Sequence, residues 1–98
     1  MVSLDPTIGS EISKSRPCLV ISTDEMNNNL HTVLAAPLTH TIKQYPTRIL
    51  VNIKNENGEI ALDQIRAVDK IRFIQYITTL SDIEGILVCE RLQEMFAY

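Results

Sequence analysis

The stretch "TRILVNIKNENGEIA", Thr47 to Ala61, decides the fold class. In an extended chain Ile49, Val51 and Ile53 fall on one face and Arg48, Leu50 and Asn52 on the other, which is the period of two that a half-buried strand requires. Asn55-Glu-Asn-Gly58 follows as a hairpin signal, because Asn-Gly supplies the positive φ values of a tight turn. Glu59 to Ala67 then returns as the partner strand. An antiparallel β unit therefore occupies the middle of the chain.

Outward from this unit the same logic continues. Thr32 to Leu38 is a strand, and "THTIKQYP" is the loop between it and Thr47. Cys18 to Ile21 is a short, β-branched apolar run suited to a buried strand, with Pro17 at its first residue, where the missing N–H is tolerated. Pro17 also restricts Arg16 to extended geometry. Ser22 to Asp24 offers caps for a short helical turn that the run Asn27 to Asn29 ends. Asp5-Pro6 and Gly9 make Asp5 to Ser15 read as a loop. On the C-terminal side Phe73 to Leu80 is a strand rich in β-branched and aromatic residues. Ser81-Asp-Ile-Glu84 matches a capping box, so a terminal helix begins there. Its Val88, Cys89, Leu92, Met95 and Phe96 share one face, opposite Glu90, Arg91 and Glu94. Ile83, Ile86 and Leu87 interrupt the polar side in the first turns, which predicts contact with another element or another subunit. Short strands with one principal helix predict a mainly β protein: a small antiparallel barrel with a short internal helix and a C-terminal α-helix.

Composition limits what this fold can do. The chain has 98 residues, 45% of them hydrophobic, which is enough for one domain spanning 1–98 and one modest core. No apolar run reaches the roughly 18 residues of a membrane span and no signal segment opens the chain, so a cytoplasmic location is expected. Cys18 and Cys89 lack metal-ligand spacing and read as small buried hydrophobes; neither a metal nor another cofactor is expected. The net charge is −3, but Asp82, Glu84, Glu90 and Glu94 against Arg91 place all of it in residues 81 to 98. The first 80 residues are balanced, with Lys14, Arg16, Lys43 and Arg48 available for a local basic patch. The acidic total therefore does not exclude RNA.

Chemistry concentrates around Arg16. A guanidinium beside a strand is satisfied either by a carboxylate such as Glu11 or Asp63, or by a ligand. Glu11, Lys14 and Arg16 lie in one segment and Thr39 closes the strand "APLT", so two strand ends are expected to converge on one cleft. His40 follows Thr39 and is a second candidate for general base, because a free imidazole titrates nearer neutrality, at about 6.5, than any other side chain. His31 has no partner in the sequence and reads as structural.

Five motifs, "LDPTIGSE", "RPCLVIS", "APLT", "YPTR" and "ALDQIRAVDK", keep the order and approximate spacing seen in the MazF/PemK toxins, and the chain resembles that family over nearly its whole length. The resemblance implies an SH3-like barrel of the MazF/PemK/CcdB type, usually a homodimer, acting as the toxin of a type II toxin-antitoxin system. It further implies a metal-independent, sequence-selective endoribonuclease for single-stranded RNA, inhibited by an antitoxin, here one with an acidic, flexible segment. Residue by residue, it makes Arg16, Thr39 and Glu11 catalytic and Ser10, Lys14 and Gln64 RNA-binding. The implied reaction is attack of a ribose 2′-hydroxyl on its own phosphate. Where the family opens with an Arg-Gly-Asp/Glu strand this chain opens with "MVSLDP", so the first strand is expected to be shortened to a remnant, Val2 to Leu4. The alternative is a toxin-like module without catalysis, binding an antitoxin or DNA gyrase.

Overall fold

The computed structural model describes residues 7–11 and 16–97. Seven strands and two helices follow in the order β1 (Thr7–Glu11), β2 (Pro17–Val20), α1 (Asp24–Asn29), β3 (Thr32–Thr39), β4 (Arg48–Ile53), β5 (Glu56–Ala61), β6 (Arg66–Asp69), β7 (Phe73–Thr79) and α2 (Asp82–Met95). Short 3-10 turns at Leu62–Gln64 and Lys70–Arg72 flank β6. All pairings are antiparallel, in the order β4-β5-β3-β2-β1-β7, with β6 also paired to β3. The sheet curls into an open, barrel-like layer around one core, as the alternation of β4 and the shortness of the strands lead one to expect.

β3 is the central strand. It pairs β2 on one side and both β5 and β6 on the other, so its positions lose solvent on both faces and Val33, Ala35, Ala36 and Leu38 are buried. Inside the curl, Leu19, Ala36, Leu38, Ile49, Val51, Ile60 and Leu62 pack with Leu80 and with Val88 of α2. A second, smaller cluster of Cys18, Ala35 and Val68, with Phe73 against it, lies on the opposite face of β2 and β3. The two faces follow from the period of two: odd and even residues of one strand serve different clusters.

Four expectations are corrected. Asp5 to Ser15 is not one loop, because Thr7–Glu11 pairs with both β2 and β7; its sequence, Thr-Ile-Gly-Ser-Glu, carries no apolar alternation, and its strand state comes from neighbours on both sides. The hairpin turns at Lys54-Asn55, where φ is 50 and 69, rather than at Asn57-Gly58. A turn at Asn57-Gly58 would have set Gln64 and Arg66 opposite core-facing Val51 and Ile49. The observed register instead joins Ile49 to Ile60 and Val51 to Gly58. Gly58 is needed for another reason. A Cβ there would stand 2.9 Å from the Thr39 carbonyl oxygen and 3.1 Å from Leu38 Cδ1, so only glycine lets β5 approach β3 this closely. The return strand stops at Ala61 and resumes as β6 after the 3-10 turn. Finally, Phe96 is exposed rather than part of the buried helix face, since α2 ends at Met95 and Phe96 is its C-cap. The expected remnant strand Val2 to Leu4 lies outside the described residues.

The capping box is present in both halves: Ser81 Oγ accepts from the Glu84 amide and the Glu84 carboxylate accepts from the Ser81 amide. At its other end α2 is tethered by the Arg91 guanidinium, which donates to the carbonyls of Pro46 and Arg48.

Candidate active site

The β2–β3 ladder pairs Cys18 with Pro37, Leu19 with Ala36 and Val20 with Ala35. Extending that register by two residues past Cys18 sets Arg16, which precedes the strand, across from Thr39. The β1–β2 ladder pairs Gly9 with Cys18 and Ser10 with Pro17, so its next step sets the Glu11 position beside Arg16. Thr39 in turn pairs with Glu59 of β5. Thr39 and Glu59 are thus paired neighbours, and the registers of the β1–β2 and β2–β3 ladders, extended past their last pairs, align the Glu11 position and Arg16, the residue before β2, with them across the sheet.

Arg16 is exposed, and no carboxylate of residues 16–97 lies within ion-pair distance of it. Its carbonyl accepts from the Cys18 thiol at 3.6 Å, which keeps the chain extended into β2. Thr39 is partly buried and its Oγ1 accepts from the Thr41 amide at 3.2 Å, which leaves the hydroxyl hydrogen free to donate elsewhere. Gln64 is exposed in the 3-10 turn that joins β5 to β6, two strands that both border β3. Ser10 is a β1 position paired with Pro17 and Gln75. Lys14 lies outside the described residues.

Of the two carboxylates considered for Arg16, Asp63 is committed elsewhere. Asp63 accepts from Arg48 Nε at 2.9 Å and from Thr47 Oγ1 at 2.9 Å. Arg48 Nη1 also lies 3.7 Å from Glu59 Oε1, and its guanidinium stands over the Tyr45 ring at 5.2 Å. Glu59 is only 2% exposed, and its two oxygens accept from the amides of Lys43 and Gln44, both at 2.9 Å. The Lys43 amide, followed by that of Gln44 and the charge of Arg48, holds the Glu59 carboxyl below the ordinary range although burial works the other way. The Arg48 hydrogen bond, then that from Thr47, lowers Asp63 likewise. Arg48, with a side chain 9% exposed, is thus removed from the basic patch the sequence suggested. Sequence reasoning missed this cluster because a glutamate on the outward face of a strand normally reads as solvated. Only the loop carrying Lys43 and Gln44, folded over it, buries Glu59.

His40 takes a different direction from Thr39. Its Nδ1 is 3.3 Å from the Asn57 carbonyl and its Nε2 is 3.6 Å from Glu56 Oε2. It lines a cleft of about 210 Å³ at the inner mouth of the curled sheet. Pro17, Leu38, Ile53 and Ile77 form the apolar wall, and Lys54 and Glu56 complete the rim with His40. With the turn at Lys54-Asn55, Lys54 stands in the hairpin tip and Glu56 opens the strand after it; a turn at Asn57-Gly58 hides this placement from sequence reasoning. Among the described residues no three His, Cys, Asp or Glu side chains converge as metal ligands would, and no helix is long and apolar enough to cross a membrane.

Comparison with known proteins places this geometry. Endoribonuclease EndoA of Bacillus subtilis is 38% identical over 96 residues, an alignment covering 92% of this chain and 83% of the relative. Among solved structures, the Mycobacterium tuberculosis toxin MazF-mt6 superimposes with a TM-score of 0.81 at 21% identity, covering 93% of this chain and 95% of the other. A MazE-MazF structure from Deinococcus radiodurans does so at 0.79 and 20% identity, with coverage of 97% and 96%. At these identities the two structures establish the fold. Residues 1–96 match the family described as the PemK-like, MazF-like toxin of type II toxin-antitoxin systems, and the chain belongs to that family.

Proposed function

We propose that this toxin is an endoribonuclease that cuts single-stranded RNA at selected sequences by attack of a ribose 2′-hydroxyl on the adjacent phosphate. What supports the reading is the register of the β2–β3 ladder, which, extended by two residues past Cys18–Pro37, sets exposed Arg16 across from Thr39 at the neighbouring strand end. In the reaction the 2′-oxygen forms a bond to phosphorus and the bond to the 5′-oxygen breaks, leaving a cyclic phosphate and a 5′-hydroxyl. The Arg16 fork meets the charge that builds on the phosphoryl oxygens, and a rigid strand holds its backbone. Thr39 donates its hydroxyl hydrogen to a phosphate oxygen. Glu11, whose position neighbours Arg16, takes the 2′-hydroxyl proton, and the leaving oxygen is protonated by Arg16 or solvent. Ser10, Lys14 and Gln64 contact the RNA around the cut.

The 38% identity to a protein named an endoribonuclease supports this reading. A structure of a relative described as MazE-MazF supports a cognate antitoxin for this chain as well. Its acidic, flexible segment would cover Arg16 as a phosphate mimic. Ile83, Ile86 and Leu87, exposed at 74%, 56% and 43%, offer the apolar surface for a homodimer. The cytoplasm, where messenger RNA is met, is the proposed site of action.

The test is cleavage of a single-stranded RNA in the presence of EDTA, compared with the same oligomer carrying deoxyribose at the cut. The RNA should be cut and the substituted oligomer should stay intact. Cleavage of the deoxy-substituted oligomer would refute the 2′-hydroxyl mechanism, and dependence on a divalent ion would refute the metal-free one.

A further inference from the structure

The Arg16–Thr39 row handles a phosphate, which every nucleotide carries, so it cannot by itself select a sequence. Selection needs a second feature within one nucleotide of the row. The inner cleft adjoins the row through the chain: Pro17 directly follows Arg16, and Leu38 and His40 lie on either side of Thr39. The alternation that sends Arg16 and Thr39 to one face of the sheet sends Pro17 and Leu38 to the other, so the cleft opens just across the strand ends from the phosphate site.

We propose that this cleft is the pocket for one unstacked base next to the cut phosphate, and that it selects bases bearing an amino group over uracil. The inference rests on the endoribonuclease reading above. Size is the first argument. At about 210 Å³ the cleft is smaller than the roughly 300 Å³ of pockets that enclose whole drug-sized ligands, and suits a single planar ring system. Lining is the second. Pro17, Leu38, Ile53 and Ile77 present an apolar wall on which a base face can rest, and the rim groups can reach its edge. Single-stranded RNA is read in this way, by splayed bases held between a face contact and edge hydrogen bonds. Rim chemistry is the third. Glu56 is a carboxylate acceptor, 72% exposed, with Oε2 3.6 Å from His40 Nε2 at the cleft rim. Its carboxylate can take N–H from the exocyclic amino group of adenine, cytosine or guanine. Uracil presents carbonyl oxygens on both sides of its single N–H and is repelled. Lys54, placed by its positive φ at the first turn position, adds a donor for a ring nitrogen or carbonyl on the same base. The hairpin turn at Lys54-Asn55 thus sets selectivity, while Arg16 and Thr39 set the rate.

The experiment is a cleavage profile of a random single-stranded RNA pool, with the bases counted at each position around the cut. Three proteins are compared: the parent chain, Glu56→Gln, and Glu25→Gln as a control on the exposed side of α1. In the parent, uracil should be disfavoured by about tenfold or more at one position flanking the cut. Glu56→Gln, whose amide both accepts and donates, should bring that ratio to within about twofold of unity and leave the other positions as they were. The control should keep the parent profile. A Glu56→Gln profile identical to the parent's at every position overturns the pocket while leaving the endoribonuclease reading in place. So does a variant that binds antitoxin differently but cuts with the parent's preferences. A parent chain that cuts no RNA overturns both.

Discussion

Of the arginines that stand at strand starts, Arg48 and Arg16 are used in opposite ways. Arg48 opens β4, is almost wholly buried, and is committed to Asp63, Glu59 and the Tyr45 ring. Arg16 precedes β2, is exposed, and meets no carboxylate of residues 16–97. The difference is made by the strands beside them. Next to Arg48 the loop of Lys43 and Gln44 folds over β5 and brings Glu59 out of water, so that a compensating cation becomes necessary. At Arg16 the β2–β3 ladder ends in solvent, and the guanidinium keeps its donors for a ligand. Residue type alone does not distinguish a structural arginine from one available for chemistry; its committed partners do.

The largest effect should fall on the open edge. Thr39→Ala is expected to slow RNA cleavage by about 100-fold, as loss of one donor to a developing oxyanion does, and Thr39→Ser to recover most of the rate. Initial rates on a single oligomer decide it; a fully active Thr39→Ala would leave Arg16 alone on that edge.

Gly58→Ala sharpens the contrast, because it strains the strand shared by both regions. The added Cβ meets the backbone oxygen of Thr39, which cannot swing aside as a side chain could. A destabilisation of about 1–3 kcal/mol is expected in denaturant titration, together with slower cleavage even where the variant is folded. Unaltered stability would show that β5 relaxes away from β3 without strain.

How much of this could be read from the sequence depends on how local the cause was. Pro17 at a strand start, the alternation of Ile49, Val51 and Ile53, and the Ser81–Glu84 capping box each carry their reason within a few residues, and each element stands where it was expected. β1 was not legible because its strand state comes from pairing on two sides. The hairpin was misread because Asn57-Gly58 is the stronger turn signal locally, while the glycine is required by Thr39 and Leu38 of another strand. In the site, Arg16 and Thr39 could be singled out one by one, and their convergence on neighbouring strand ends could be expected. The burial of Glu59 and the cleft at Lys54–Glu56 could not, since both follow from how loops and turns close in three dimensions.

The buried corner has its own signature in acid. Glu59 and Asp63 have carboxyl values lowered in the folded state. The stability they contribute is fully present above their unfolded values of about 4 and is lost as pH falls through the lower folded ones. The thermal midpoint should therefore hold steady from pH 7 to about 5 and drop below about 4, and Glu59→Gln should flatten the drop. A parent midpoint independent of pH down to about 3 would mean that this cluster is not coupled to folding.

The smallest effect is expected far from both arginines. Ser81→Ala removes the acceptor for the Glu84 amide and should cost about 1 kcal/mol in denaturant titration, with the cleavage profile unchanged. A change in profile would tie α2 to the site.

The division of labour between the two arginines is tested most directly by measuring the cleavage rate of one single-stranded RNA and the thermal midpoint for Arg16→Ala and Arg48→Ala side by side. The account predicts that Arg16→Ala keeps the parent's midpoint and loses about 100-fold in rate. Arg48→Ala should instead lower the midpoint by about 5 °C or more by stranding a buried carboxylate. An Arg16→Ala protein that cuts at the parent's rate would contradict it.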